Sequence, residues 1–322
     1  MKAIVYAQYG SPDVLQLKEM EKPEPKDNQV LVKVCAASIN ALDYRRFESI
    51  SFMGRVMEEK ALKTVGKILG ADIAGRVESV GANAKRFQIG DEVFGISAGN
   101  TGAFAEYACA VENELTLKPA NVSFESAAAV PVAALTALQA LRDKGKIQRG
   151  QKVLINGAGG GVGTFAVQIA KSFGAEVTAV CSARNLETAR SLGADRVMDY
   201  AKEDFAKDGQ RYDLILAVNG HRSILEYRRA LNPNGIYIGV GGSMAQIMQA
   251  LILGPLLSLF GSKMIFMGVA NVNQQDLAYM GELLESGKVA PVIEKRYPLS
   301  EVAAAMRYLA AGHAQGKVVI QI

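Results

Sequence analysis

The chain has too few cysteines and histidines for the frameworks those residues usually build. Cys35, Cys109 and Cys181 stand singly within apolar runs, with no closely spaced pair. That spacing fits reduced, buried thiols better than a disulfide scaffold, so the expected location is the cytoplasm. Only two histidines occur, His221 and His313, both beyond residue 220. Charge of one sign is not in marked excess either. The net charge of +4 is spread along 322 residues, without the clustered basic face that nucleic-acid binding requires. Internal repeats and low-complexity tracts are missing. The N-terminal Met1-Lys-Ala-Ile-Val-Tyr-Ala reads as a strand and not a signal peptide, because no apolar h-region or cleavage site follows. What is abundant is apolar. With 49% hydrophobic and 21% charged residues, the chain can fill a sizeable core and is not disordered. Its length exceeds one ordinary core and predicts two domains.

One run carries no charge at all. Met244–Ser262 is close to the length that crosses a bilayer. Gln246, Gln249 and the Gly254-Pro255 break argue against a spanning helix. The run reads as a buried or interfacial helix that caps a site or a dimer contact. Membrane association is not expected, and a membrane-peripheral reductase is the competing reading.

The most informative stretch is Gln151–Lys171. Val153–Ile155 form a short apolar strand, and five glycines then fall within residues 157–163. A helix follows, with apolar positions at Val162, Phe165, Ala166, Ile169 and Ala170. Such a turn lets backbone N–H groups face a pyrophosphate, and the positive helix end adds to the attraction. The best register is Ala158-x-Gly160-x-x-Gly163, with alanine at the first position of the dinucleotide fingerprint. The second strand, Glu176–Cys181, ends about twenty residues later, where a dinucleotide fold reads the adenosine ribose. An NAD enzyme places Asp or Glu there, but this chain has Ser182, Ala183, Arg184 and Asn185. A hydroxyl beside a guanidinium suits a 2′-phosphate, so NADPH is the expected cofactor. The alternative for Arg184 is a solvated loop charge.

The first 120 residues read as closely spaced strands with glycine turns, the pattern of a compact, partly open β-barrel. Near Ser123 the pattern changes, with Ser123 as helix N-cap and an alanine-rich helical stretch around Pro131. Strands and helices then alternate. Strands are expected at 153–155, 177–181, 196–198, 213–218 and 236–240, and helices at 161–173, 185–192 and 222–231, which predicts a doubly wound parallel sheet. Gly316–Ile322 reads as a strand that returns to the N-terminal barrel. The expected domains are therefore 1–122 with 290–322, and 123–289.

Several segments together resemble the medium-chain dehydrogenase/reductase superfamily, in its zinc-free quinone oxidoreductase and enone reductase branch. They are Gly70–Gly81, Gly90–Gly95, Gly102–Tyr107, Ala133–Leu138, the glycine turn and Leu192–Asp195. The resemblance implies an α/β chain made of a GroES-like, partly open β-barrel catalytic domain plus a doubly wound parallel-sheet Rossmann domain. It also implies an active site in the cleft between the two. Zinc alcohol dehydrogenases of the superfamily carry Cys and His-Glu in the segments that here read Ser38–Asp43 and Gly70-Ala71-Asp72. Asn40 and Ala71 cannot replace a thiolate and an imidazole as a tight zinc site, and three cysteines cannot form the four-cysteine structural lobe. No metal is expected. Without a Lewis acid, the accessible chemistry is hydride delivery to a small-molecule quinone or α,β-unsaturated carbonyl, which spreads its own negative charge.

The candidate cofactor residues are Gly159, Gly160, Gly161 and Val162 for the pyrophosphate, and Ser182 and Arg184 for the 2′-phosphate. The resemblance adds Tyr200 over that phosphate and Thr136 near the nicotinamide. It also places Gly241 and Asn271 after the last Rossmann strands, and Lys317 as a ribose or substrate neighbour. The alternative for Tyr200 is strand-end packing, and for Thr136 a bond to its own helix backbone. For substrate, Asn40 donates an amide N–H to a carbonyl oxygen, and Tyr44 donates its O–H or stacks on a flat ring. Asp43 orients the loop. Phe47, Phe52 and Met53 form either an apolar lid or ordinary core. Family analogy also predicts a homodimer through the strand near Lys263–Ala270. A cofactor-binding protein with little turnover remains the alternative to an enzyme.

Overall fold

The computed structural model describes residues 1–6, 11–48, 68–218, 222–242, 244–258, 261–312 and 314–322, with the backbone alone at 45–48 and 244–246. Phe52 and Met53, the side chain of Phe47 and both histidines lie outside the described residues. The chain forms two compact units, Met1–Val132 with Val272–Ile322, and Ala133–Asn271.

In the first unit, β1 (Lys2–Val5) and β2 (Gln16–Glu19) pair antiparallel. A larger sheet is organised on β3 (Gln29–Ile39). One edge of β3 is taken by β4 (Asp72–Val80). The strand is long enough for two partners on its other edge. There β6 (Tyr107–Val111) pairs with Gln29–Lys33, and β15 (Lys317–Gln321) pairs with Ala36–Ile39. β4 continues the sheet to β5 (Glu92–Ile96) and β7 (Leu115–Leu117), while β15 carries β14 (Ile293–Pro298). Val30, Val32, Ile73, Val93, Phe104, Val318 and Ile320 fill the core, with Val302 and Met306 from helix α9 (Val302–Ala310).

Two helices make the unit boundaries differ from those expected. Ser123 caps α2 (Phe124–Ala128), its Oγ accepting from the Ser126 N–H at 3.1 Å. This helix packs on β3, β4, β5 and β15. Likewise, α8 (Gln274–Glu285) starts at Asn273, whose Oδ1 accepts from the Asp276 N–H at 2.9 Å, and packs on β7. The contact boundaries thus fall at 132/133 and 271/272, where the sequence pattern changes at 122/123 and 289/290. The change near Ser123 marks a switch from strand to helix, and the unit boundary falls one helix later, within Pro131–Gln139.

The second unit is a six-stranded parallel sheet in the order β10-β9-β8-β11-β12-β13. Its strands are β8 (Lys152–Asn156), β9 (Glu176–Cys181), β10 (Arg196–Asp199), β11 (Tyr212–Val218), β12 (Leu231–Val240) and β13 (Lys263–Phe266). Val153, Leu154, Ile155, Leu214, Ile215 and Leu216 are fully buried, the continuous apolar runs of strands covered on both faces. Helix α3 (Pro131–Gln139) opens on a proline, where the missing N–H is harmless. A π-turn follows at Ala140–Lys144. Helices α4 (Gly161–Ser172), α5 (Leu186–Ser191) and α6 (Ile224–Ala230) come next, α6 with a reciprocal cap between Ser223 and Glu226. The order in which strands are added reverses between β8 and β11, and open α/β sheets bind ligands at such a reversal.

The uncharged run folds as α7 (Met244–Ser258), which packs along β13. Met248, Leu251, Ile252 and Leu256 on it are exposed. Among the described residues, no helix is long and apolar enough to cross a membrane.

Candidate active site

The glycine turn of the second unit joins β8 to α4 at the reversal point. The Gly157 and Ala158 N–H groups both donate to Val180 O, each at 3.0 Å. Gly157 has φ +95°, and a Cβ there would lie 2.0 Å from Val218 O at the end of β11. A Cβ on Gly163 would lie 2.1 Å from Gly157 O and 2.7 Å from Ala158 Cα. Both glycines are therefore required by backbone packing. Gly160 differs, since the nearest atom to its Cβ would be Gly157 O at 3.8 Å. Gly160 is also the N-cap of α4 and has no side chain of its own to bond the first helical N–H groups. The first turn of α4 thus presents donors and a positive dipole end with space in front, which fits a pyrophosphate.

The end of β9 lies beside this turn. A Cβ on Gly159 would lie 2.1 Å from Asn185 Nδ2, and the same Nδ2 donates to Ser182 Oγ at 3.2 Å. Asn185 therefore ties the glycine turn to the segment carrying Ser182 and Arg184, a link that sequence reasoning missed. The Tyr200 N–H donates to Cys181 O at 3.1 Å, and the residue is 60% exposed. Ser182, Arg184 and Tyr200 are thus gathered at the ends of β9 and β10, with no carboxylate among residues 182–185.

On the other half of the sheet, Gly241 follows β12 with φ +72°. Asn271 is held by Gln139, whose Nε2 donates to Asn271 O at 2.8 Å while its Oε1 accepts from the Asn271 N–H at 3.0 Å. Gln139 closes α3, the helix that carries the buried Thr136. This clamp also went unnoticed in the sequence, because its partners are 132 residues apart.

The first unit brings together Asn40 and Lys317 with a residue not singled out before, Asp72. Asp72 is fully buried and Lys317 is 3% exposed. Asp72 Oδ2 accepts from Ser38 Oγ at 2.6 Å, from Asn40 Nδ2 at 2.9 Å and from Lys317 Nζ at 3.4 Å. Its Oδ1 accepts from the Val132 N–H at 3.0 Å. Lys317 Nζ donates to Asn40 Oδ1 at 2.7 Å and to Ile39 O at 3.4 Å. Burial lowers the Lys317 pKa, against the opposing charges of Asp72 and Asp43. Asp43 orients the loop as expected, its Oδ2 accepting from the Asn40 N–H at 2.8 Å. Tyr44 is half-buried on α1 (Ala41–Glu48). Lys317, expected beside cofactor or substrate, has its ammonium committed to Asn40 and Asp72. The cysteines supply no nucleophile. Burial and then the Asp199 charge push the Cys181 thiol up to about 11, and burial also raises Cys35 and Cys109.

Family sequence models match on both units. An alcohol dehydrogenase GroES-like domain matches residues 26–120, and a zinc-binding dehydrogenase matches residues 192–320. The chain is 36% identical to 2-methylene-furan-3-one reductase of Solanum lycopersicum, over 99% of this chain and 79% of the relative. The chain belongs to the medium-chain dehydrogenase/reductase superfamily, in its quinone oxidoreductase and enone reductase branch. A second relative is the chloroplastic NADPH-dependent alkenal/one oxidoreductase of Arabidopsis thaliana, 34% identical over 99% of this chain and 79% of that protein. The quinone oxidoreductase structure from Coxiella burnetii superposes with a TM-score of 0.88 and 32% identity, covering 100% of this chain and 99% of that one.

As a member of that superfamily, the chain is an oxidoreductase with a GroES-like unit and a Rossmann-type unit. Zinc is the group that one of its matching families implies, and the donor set does not fit it. Asn40, Ala71 and Asp72 offer one carboxylate, already bonded to an ammonium, where thiolate and imidazole are needed. Among the described residues, no three His, Cys, Asp or Glu side chains are grouped to hold a metal.

Proposed function

We propose that this protein is an NADPH-dependent, zinc-independent reductase of quinones or α,β-unsaturated carbonyls, acting as a cytoplasmic homodimer. The observation that carries the cofactor assignment is the gathering of Ser182, Arg184 and Tyr200, with no carboxylate among residues 182–185. The name of the Arabidopsis relative supports it. Gly159, Gly160, Gly161 and Val162 hold the pyrophosphate, Ser182 and Arg184 bond the 2′-phosphate, and Tyr200 covers it. Thr136, Gly241 and Asn271 line the nicotinamide. The bound dihydronicotinamide supplies a hydride.

The remaining work falls to the protein's donors. Hydride addition to a quinone or enone moves negative charge onto a carbonyl oxygen, where a fixed N–H stabilises it most. Asn40 supplies that donor, and Tyr44 stacks on or donates to the flat acceptor. Solvent supplies the proton that completes reduction. A saturated aldehyde or ketone would instead leave a localised alkoxide, which calls for a Lewis acid that Asn40, Ala71 and Asp72 do not suit. The outer edge of β13 is unpaired among the described residues, beside the apolar surface of α7. This open edge supports pairing with a second copy.

Purified protein is expected to consume NADPH with quinones, enones and alkenals but not with saturated aldehydes, and chelators should leave the rate unchanged. Loss of activity in chelator, regained with zinc, would end the zinc-independent reading. Arg184→Ala is expected to weaken NADPH binding by about 1–3 kcal/mol, the scale of a lost charge-assisted hydrogen bond, with NADH unaffected. Fluorescence titration of both cofactors checks this, and equal losses would refute the 2′-phosphate assignment.

A further inference from the structure

The Asp72–Lys317 pair is costly where it stands. Removing two charges from water costs several kcal/mol each, and a well-packed apolar pair would stabilise the fold at least as well. Its geometry gives it a different use. A lysine ammonium only donates and an ionised aspartate only accepts. Lys317 on one side and Asp72 on the other therefore permit a single orientation of the Asn40 amide, with Oδ1 toward Lys317 and Nδ2 toward Asp72. The Asn40 backbone is fixed as well, its N–H bonded to Asp43 and its C=O accepting from the Asp43 N–H at 3.0 Å. Ser38 donates its hydroxyl to the same Asp72 oxygen, so that oxygen cannot turn away from the group. Asn40 Nδ2 carries two hydrogens, and among the described residues one of them is bonded, to Asp72.

We propose that Lys317 and Asp72 are positioning residues that lock the Asn40 amide, so that its second Nδ2–H is held ready for the oxygen that becomes negative during reduction. This rests on the reductase reading above and deepens it. An unlocked amide would rotate and present its oxygen to the developing oxyanion as often as its N–H. The lock removes that repulsive arrangement and the cost of reorganising the donor during reaction. Lys317 thereby acts through Asn40 and not on the cofactor.

A coupling experiment tests the lock. The variants are Asn40→Ala, Lys317→Met, Lys317→Arg, the charge-neutral pair Asp72→Asn with Lys317→Met, and that pair combined with Asn40→Ala. Each is assayed with NADPH and both a short alkenal and benzoquinone. Asn40→Ala is expected to lower kcat about 100-fold, as for loss of one oxyanion donor, with KM for NADPH unchanged. Lys317→Met and the neutral pair are expected to lower kcat at least about tenfold at unchanged KM for NADPH, in line with other supporting residues, and Lys317→Arg should recover part of it. Adding Asn40→Ala to the neutral pair should leave kcat no lower than in Asn40→Ala alone, because the residues act as one unit. The neutral pair serves even where Lys317→Met fails to fold. Wild-type kcat in the neutral pair, or losses that multiply, would overturn the lock. If the wild-type protein oxidises NADPH with neither acceptor, the reductase reading fails by itself. The side-chain amide of Asn40 then decides the lock without turnover. Its ¹H–¹⁵N pair should resist solvent exchange in the wild type and exchange rapidly in the neutral pair, and equal exchange in both would overturn it.

Discussion

Gly160→Ala will abolish tight NADPH binding without lowering the melting temperature, whereas Gly163→Ala will lower the melting temperature whether or not nucleotide is present. The two glycines lie three residues apart in the same turn and answer to different constraints. At Gly160 the added methyl would have only Gly157 O near it, at 3.8 Å, in a backbone of φ −89° that any residue adopts. The fold accommodates it, but the space in front of the first turn of α4 is where a pyrophosphate must approach. At Gly163 the methyl would lie 2.1 Å from Gly157 O and against the Ala158 backbone. Neither is the movable end of a side chain, so helix and strand must separate, at a cost of about 3 kcal/mol. Thermal melts with and without NADPH, beside fluorescence titrations, distinguish the two. A Gly160→Ala protein that binds NADPH normally would show that the pyrophosphate does not use this turn.

Asp72→Ala is expected to destabilise the first unit by about 4 kcal/mol, since removing one member of a buried pair strands the other charge. Lys317 would be left at 3% exposure with Asp43 as the remaining charge of opposite sign. Ser38 Oγ, Asn40 Nδ2 and the Val132 N–H would lose their acceptor together. The two units need not melt as one, so the sharper measurement is amide hydrogen exchange. Protection should fall across β3, β4 and β15 while β8, β9 and β11 keep theirs. Unchanged protection in β3 and β15 would mean that the pair contributes little to holding those strands.

What the sequence disclosed and what it hid follow from the range of the forces involved. The glycine turn, the Ser123 cap and the alternating strands and helices of the second unit are local. Each is written in fewer than twenty consecutive residues, and each formed close to where it was expected. The return of Gly316–Ile322 to the barrel was legible because an isolated apolar strand must find a sheet. The boundaries at 132/133 and 271/272 were not, because α2 and α8 reveal their partners only through packing. Asp72 escaped notice for a related reason. Read along the chain, it was the residue after a missing histidine, and its partners stand 34, 32 and 245 positions away. The available sign was an aspartate opening one apolar strand and a lysine opening another. Opposite charges in two runs that must both be buried have few solutions other than each other. Asn185 and Gln139 left no such sign, because polar side chains near helix ends are common and most face water.

The placement of β15 sets an order on the ribosome. The six described strands of the contiguous unit, residues 133–271, are made before residue 317 exists, so that unit can close while the nascent chain is still growing. The other unit must wait. Half of one edge of β3 stays open, and Asp72 stays without its counter-ion, until a residue 245 positions later has cleared the exit tunnel. The barrel therefore carries the long-range contacts that slow folding, and a chain interrupted before residue 317 would hold one finished unit and one unsealed one.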